Sequence, residues 1–436
     1  MRRGTGAITA LAAAAMLVAA TGEDRATPPA VAPVDAPELA RLGALPVGVT
    51  RLEFVQPGQA DPLQGTDRPA IVDRRLPLMV WYPAAAAGPG ITYHAAMSGE
   101  DGRDVAFEVP GIASERSAPA SGRYPLVILA HGYGNTPEVL SWLGENLASK
   151  GYLVVAPAFR DPPISIRTAA ARAGPITRRP LDIAFVTREA QRRARAGDGL
   201  FAHADPARTA LIGYSMGGYG VLTAAGAPLS PAIGGLTRGV LAPYAAGGDK
   251  AAALRVPNVK AVVAIAPAVN LGGAALWTAA GASAVDAPTL FIVGSQDRVV
   301  GYDAVHGLFA APARAARYLL TFREAGHSIA LIPAPPTMRR TFWDNDWFED
   351  AVWRKERLLP VQAHFITAFL DRHVKGDATR AGYLDGLVPD SNDGRWPAAP
   401  VGRVAAYSPG PPAATVWKGF QPGRVTGMTF EATTPR

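Results

Sequence analysis

The pentapeptide Gly213-Tyr214-Ser215-Met216-Gly217 holds a serine between glycines two residues to either side. A serine hydroxyl is a poor nucleophile until a neighbouring base takes its proton. The G-x-S-x-G spacing suits a sharp strand-to-helix turn that presents such a hydroxyl alone. The turn strains the serine backbone, and the flanking glycines leave room where strand and helix nearly collide. The apolar run Thr209-Ala-Leu-Ile-Gly213 comes before it and the small-residue stretch Val221-Leu-Thr-Ala-Ala225 comes after. A glycine-rich turn with an incidental serine is the plainer alternative, and this flanking context weighs against it.

The base must come from seven histidines. On a strand–turn–helix scaffold of this kind the order is serine, then acid, then histidine. His94, His131 and His203 precede Ser215, so order disfavours them. His306, His364 and His373 lie in or at the end of helical patterns. His327, in the loop sequence Glu324-Ala-Gly-His-Ser328 after the last apolar strand, is the expected base. Asp297, just past the apolar run Thr289-Leu-Phe-Ile-Val293, is the expected acid, with Glu324 as its rival. The acid would hold the imidazole in one tautomer and stabilise the imidazolium. Acyl transfer also needs two amide donors for the developing oxyanion. Those of Met216 and of Tyr133, in the loop His131-Gly-Tyr-Gly-Asn135, fit. His131 is then a supporting residue.

These groups need a rigid frame. Short continuous apolar runs at residues 126–130, 152–156, 209–213, 259–265 and 289–293, with a more alternating one at 317–322, suit strands buried on both faces of a parallel sheet. Helical patterns at 137–149, 181–193 and 361–374 alternate with them, which predicts a doubly wound α/β fold, mostly parallel with helices on both faces. Residues 51–55 and 76–82 read as antiparallel strands at one edge. Residues 84–122 read as a long surface connection, and the stretch beyond Gly376 as a tail wrapping the surface.

Composition bounds the rest. The chain has 436 residues, 48% hydrophobic and 18% charged, and no cysteine. Disulfides, thiolate catalysis and an acylated lipoprotein cysteine are excluded. The net charge of +7 is carried by scattered basic residues, which fits a solvated surface and not a nucleic-acid footprint. Arg2 and Arg3, followed by an apolar run from Ala7 to Ala20, read as a secretory signal too short to be a comfortable span. The expected organisation is a signal peptide (1–22), a flexible lead-in (23–44) and one catalytic domain (45–436) with an aromatic-rich insertion near 328–360. A secreted or periplasmic protein with no membrane anchor after cleavage follows. The insertion carries Thr341-Phe-Trp-Asp-Asn-Asp-Trp-Phe-Glu-Asp-Ala-Val-Trp353. It can wall the cleft through Trp343 and Trp347, or pack on the core as an amphipathic helix. A calcium site from Asp344, Asp346 and Asp350 lacks the EF-hand spacing.

The segments Tyr82-Pro, His131-Gly-Tyr-Gly, Leu147-Ala-Ser-Lys-Gly-Tyr-Leu-Val-Val-Ala-Pro157, Gly213-Tyr-Ser-Met-Gly-Gly218 and Phe369-Leu-Asp-Arg-His-Val-Lys-Gly-Asp377 resemble the dienelactone hydrolase/platelet-activating-factor acetylhydrolase-like group of α/β-hydrolases. The core is also similar to bacterial cutinase-like polyester hydrolases. The resemblance covers roughly residues 45 to 380. It implies an α/β-hydrolase fold and a serine carboxylic-ester hydrolase acting on small to medium apolar or aromatic esters or on polyesters, with no cofactor and no metal. It also implies that Tyr214 and Trp277 line the substrate site; for Trp277 a half-buried core aromatic is an equal alternative. Three features depart from the pattern. Tyr214 stands where the polyester hydrolases carry tryptophan, their disulfides have no cysteines here, and the insertion after His327 is longer. The catalytic cysteine of dienelactone hydrolases proper is absent. A peptidase or amidase on the same three residues, and a catalytically inactive binding protein of this fold, are the alternatives.

Overall fold

The computed structural model describes residues 33, 35–166, 168–271, 273–396 and 414–434. The expected signal peptide lies outside the described residues. The described chain begins its sheet with two long strands, β1 (Val47–Asp61) and β2 (Ala70–Pro83), paired antiparallel. A separate hairpin of β3 (Thr92–Ser98) and β4 (Asp104–Pro110) and a two-residue strand β5 (Ser114–Glu115) follow. Then come β6 (Tyr124–Ala130), β7 (Leu153–Pro157), β8 (Ala204–Tyr214) and β9 (Val259–Ile265). A mini-hairpin of β10 (Asn270–Leu271) and β11 (Ala274–Ala275), then β12 (Thr289–Gly294), β13 (Arg317–Phe322) and β14 (Met428–Thr433), complete the strands. The helices are α1 (Ser141–Ser149), α2 (Ala169–Ala196), α3 (Met216–Ala224), α4 (Ile233–Leu236), α5 (Tyr302–Ala310), α6 (Phe342–Phe348) and α7 (Lys355–Leu370).

The main sheet has ten strands in the order β14-β13-β12-β9-β8-β6-β7-β2-β1-β5. The six central strands from β13 to β7 run parallel. Every residue of β7, β12 and β13 is buried, because helices cover the sheet and neither face of these strands meets water. Helix α2 packs on α3, and α1 on α7. The expected apolar runs all fall on these strands, and the architecture is the α/β-hydrolase fold.

Four expectations need correction. Residues 84–122 are not a surface connection alone. They contain the β3–β4 hairpin, whose Tyr93, Met97, Phe107 and Val109 are buried at alternating positions, as one core-facing side of a strand requires. The hairpin is tied down by a buried chain in which Trp81 Nε1 donates to Tyr93 Oη and Tyr93 Oη donates to Glu145 Oε1. The lead-in is not free over its described part either. The Leu39 amide donates to His364 Nδ1, and the Gly43 amide to Ser149 Oγ. Helix α2 begins well before residue 181 and runs through Pro175 and Pro180, with Thr168 Oγ1 capping the Ala171 amide. The tail does not merely wrap the surface. It returns as β14, antiparallel to β13.

Candidate active site

Four of the loops that leave the C-terminal ends of the parallel strands, where ligands gather in sheets of this kind, carry the candidate residues. Ser215 follows β8 directly and adopts φ 53° and ψ −117°, a region that costs a non-glycine residue strain. The neighbouring glycines make the turn feasible. A Cβ on Gly213 would lie 2.3 Å from Gly217 O, and one on Gly217 would lie 2.2 Å from Ala130 O. Both are below any real contact, so only glycine lets α3 start this close to β8 and β6.

His327 leaves the loop after β13. Its Nε2 stands 3.0 Å from Ser215 Oγ, and its Nδ1 stands 2.8 Å from Asp297 Oδ2. Asp297 is buried, and its other oxygen accepts the Val299 and Val300 amides at 2.9 and 3.0 Å. With Asp297 an acceptor only, Nδ1 carries the proton and Nε2 is free to accept from the serine hydroxyl. Glu324 is exposed, and its amide, not its carboxylate, is engaged, donating to Ser295 Oγ. The two loops approach so closely that a Cβ on Gly294 would lie 2.3 Å from Ala325 O.

The His327 loop is held from behind. Asp350 accepts the Gly326 amide at 2.7 Å, and Ser328 Oγ donates to Trp347 O at 2.9 Å. Lys355 Nζ donates to Ser328 O, and Gln362 Nε2 to Ile329 O. Burial pushes the Lys355 ammonium down to about 8. These residues carried no sequence signal beyond lying on the aromatic insertion and the helix after it.

Tyr214, expected to line the substrate site, is not among the residues that line the cavity beside Met216. It is buried, its ring stacks on the His327 imidazole with centroids 5.3 Å apart, and its hydroxyl donates to His327 O at 3.0 Å. Trp277 does not line that cavity either. Its indole N–H donates to Thr223 Oγ1, and its ring packs on Tyr219 in the core. Tyr133 and Met216, the residues expected to offer oxyanion amides, flank a cavity of about 630 Å³, with Ile164, Ile166, Pro175, Leu271 and Trp343 among its lining residues. Among the described residues no side chain or carbonyl accepts from the Tyr133 amide. The Met216 amide belongs to the first turn of α3, which has no acceptor within the helix.

Helix α6 divides the work of the aromatic segment. Trp343 lines the cavity and is 38% exposed, and Phe342 beside it is 84% exposed. Trp347 instead donates its indole N–H to Asn135 Oδ1 at 2.8 Å, and Phe348 packs edge-on against Phe107. Asp344 accepts the Glu100 amide, and Asp350 the Gly326, Val352 and Trp353 amides, so these carboxylates tie segments together. Among the described residues there is no cluster of histidine and carboxylate side chains able to hold a metal ion.

Residues 116–237 match the family model described as PET hydrolase-like. This stretch contains the 131–135 loop and Ser215, whereas Asp297 and His327 lie beyond it. Fold and match define the class: the chain is a carboxylic-ester hydrolase of the α/β-hydrolase fold. Solved structures resembling it include a ferulic acid esterase from Streptomyces cinnamoneus, 20% identical, with 76% of this chain and 91% of that chain covered at a TM-score of 0.49. A search of curated proteins finds no match.

Proposed function

We propose that the protein is a serine esterase working through an acyl-enzyme on Ser215, with small to medium apolar or aromatic esters as substrates. The observation that carries this reading is the hydrogen-bonded chain from Ser215 Oγ to His327 to Asp297, at 3.0 and 2.8 Å. Ser215 Oγ attacks the ester carbonyl as His327 Nε2 takes its proton. The carbonyl π electrons move onto oxygen, and the amides of Tyr133 and Met216 stabilise that charge. Collapse of the tetrahedral intermediate breaks the bond to the alcohol, which leaves with the proton from His327. Water then repeats the sequence on the acyl-enzyme, giving the carboxylic acid and free Ser215. Asp297 keeps the imidazole oriented and offsets its charge at both stages.

The apolar lining of the adjoining cavity supports apolar acyl or aryl groups. Export to the periplasm or medium rests on the basic start and apolar run of residues 1–22. No helix among the described residues is long and apolar enough to cross a membrane. The test is Ser215→Ala, assayed on p-nitrophenyl esters of rising chain length, with an anilide and a polyester film alongside. The variant is expected to stay folded and to lose all but a trace of the ester-cleaving rate, since loss of the nucleophile in such triads costs on the order of a million-fold in kcat. More than about a hundredth of the parent rate in the purified variant would refute the assignment.

A further inference from the structure

The loop that carries the Tyr133 amide is braced by charges that the chemistry above does not use. Arg179, on α2, and Asp161, past the end of β7, form an ion pair with no side-chain exposure on either partner. Arg179 Nη1 donates to Asp161 Oδ1 at 2.9 Å, and Nη2 to Oδ2 at 2.5 Å. Removing two charges from water is expensive unless their remaining donors and acceptors are used, and here they are used on the loop. Arg179 Nη2 also donates to Gly132 O at 2.8 Å, and Nε to His131 O at 3.4 Å. Asp161 Oδ2 accepts the Gly134 amide at 3.0 Å. The guanidinium lies over the Phe159 ring at 3.9 Å.

His131 adds a second donor. Its Nδ1–H donates to Gly132 O at 2.8 Å, and its Nε2 accepts the Phe159 amide at 3.2 Å. Burial and then the Arg179 charge push its pKa down to about 3, so the ring stays neutral in this one tautomer. Burial pushes the Asp161 carboxyl up, but the Arg179 charge and the hydrogen bonds outweigh it and hold it below the usual range.

The Gly132 carbonyl and the Tyr133 N–H belong to one planar trans peptide and point in opposite directions. Arg179, on α2, draws Gly132 O toward that helix while His131 holds the same oxygen from within the loop, so the Tyr133 N–H is aimed away from the Arg179 guanidinium. The loop packs close to the nucleophile: a Cβ on Gly132 would lie 3.2 Å from Ser215 Cβ. Helix α2 also abuts the second half of the hole. A Cβ on Gly220 of α3 would lie 3.1 Å from Arg179 Cβ, and α3 begins with the Met216 amide.

We propose that the buried Arg179–Asp161 pair is the positioning element of the oxyanion hole, fixing the Tyr133 amide in its donating orientation before substrate binds. This rests on the acyl-enzyme reading above. The test compares full-length Arg179→Lys, Arg179→Gln, Asp161→Asn and the double variant Arg179→Met/Asp161→Leu with the parent. Reactive serine is first counted by a p-nitrophenyl phosphonate titration run to completion. Then kcat and KM for p-nitrophenyl butyrate are measured per titrated site, together with inhibition by phenylboronic acid and Tm. Loss of one aimed oxyanion donor predicts kcat per site down by about 100-fold, with KM within about threefold and boronate affinity falling in parallel. Arg179→Lys, which keeps one charged donor, should recover part of the loss. A merely structural pair would lower Tm or the titrated fraction while leaving kcat per site within about threefold of the parent, and that result overturns the proposal. If the single variants fail to fold, the double variant decides. Removing both charges leaves no unpaired charge, so low kcat per site with sound folding supports the proposal, and parent-like kcat refutes it. Failure of the acyl-enzyme reading shows separately, as a parent whose serine does not titrate or a Ser215→Ala variant that stays active.

Discussion

Replacing Trp343 by alanine should change which esters the enzyme prefers without harming the fold. The ring lines the cavity and is 38% exposed. A tryptophan offers about 250 Å², so roughly 95 Å² remains for a ligand to cover. A long or aromatic group that covers half of it gains about 1.2 kcal/mol at ~25 cal/mol per Å², about eightfold in kcat/KM. Full coverage doubles the energy and gives roughly fiftyfold. Contact of this kind is made in ground and transition states alike, so it should appear in KM with kcat little changed. The assay is kcat and KM for p-nitrophenyl acetate, butyrate, octanoate and benzoate. Octanoate and benzoate should lose at least about fivefold while acetate moves less than about twofold, with Tm nearly unaltered. A chain-length preference unchanged within twofold would refute the argument. Trp347 is the internal control, because its indole N–H is committed to Asn135. Its truncation should lower Tm and act on all esters alike.

Gly217→Ala should abolish activity and lower Tm. The added carbon would sit 2.2 Å from Ala130 O and 2.8 Å from His131 O, both backbone atoms that cannot step aside, and overpacking of this kind costs about 1–3 kcal/mol or more. A variant with parent kcat/KM would show that the turn is looser than described. Acid should destabilise the fold through two buried histidines. Burial holds both His131 and His364 down to about 3, whereas the unfolded chain takes a proton near pH 6.5. A folded pKa below the unfolded one for a base means that stability is complete above about pH 6.5 and is lost as pH falls toward 3. The loss approaches roughly 4–5 kcal/mol per site. Tm measured from pH 7 to 4 should fall, and His364→Gln should flatten that slope. Parallel slopes for parent and variant would count against the linkage.

Much of the frame was legible because its signals are local. Two-sided burial writes continuous apolar runs, and the six central strands were found from them. Ser215, Asp297 and His327 each follow such a run, which is why order and strand ends sufficed to draw the three together. What escaped depended on distant partners. Strand β14 is short and acquires its identity only against β13. Proline removes a backbone donor, and the expected helices begin at 181 and 361, just past Pro180 and Pro360, yet α2 and α7 run through both. Arg179 carries no local sign of its role, since nothing near it in sequence announces Asp161. That acid does share a signal with Asp297, both lying just past the end of a parallel strand. For Tyr214 and Trp277 a resemblance can assign a ring to a position but cannot say which way it faces.

The pairing of β14 with β13, from Arg317 opposite Thr433 to Phe322 opposite Met428, ties competence to completeness. The strand that leads to the base lacks its outer neighbour until residues 428–433 have been made and have docked. A chain halted or clipped before Met428 would leave β13 as a bare edge, with backbone groups open to pairing with other chains. Bringing together segments this far apart in the chain also carries a loop-closure cost. Chains lacking β14 would therefore expose the strand that leads to His327 and be prone to aggregate.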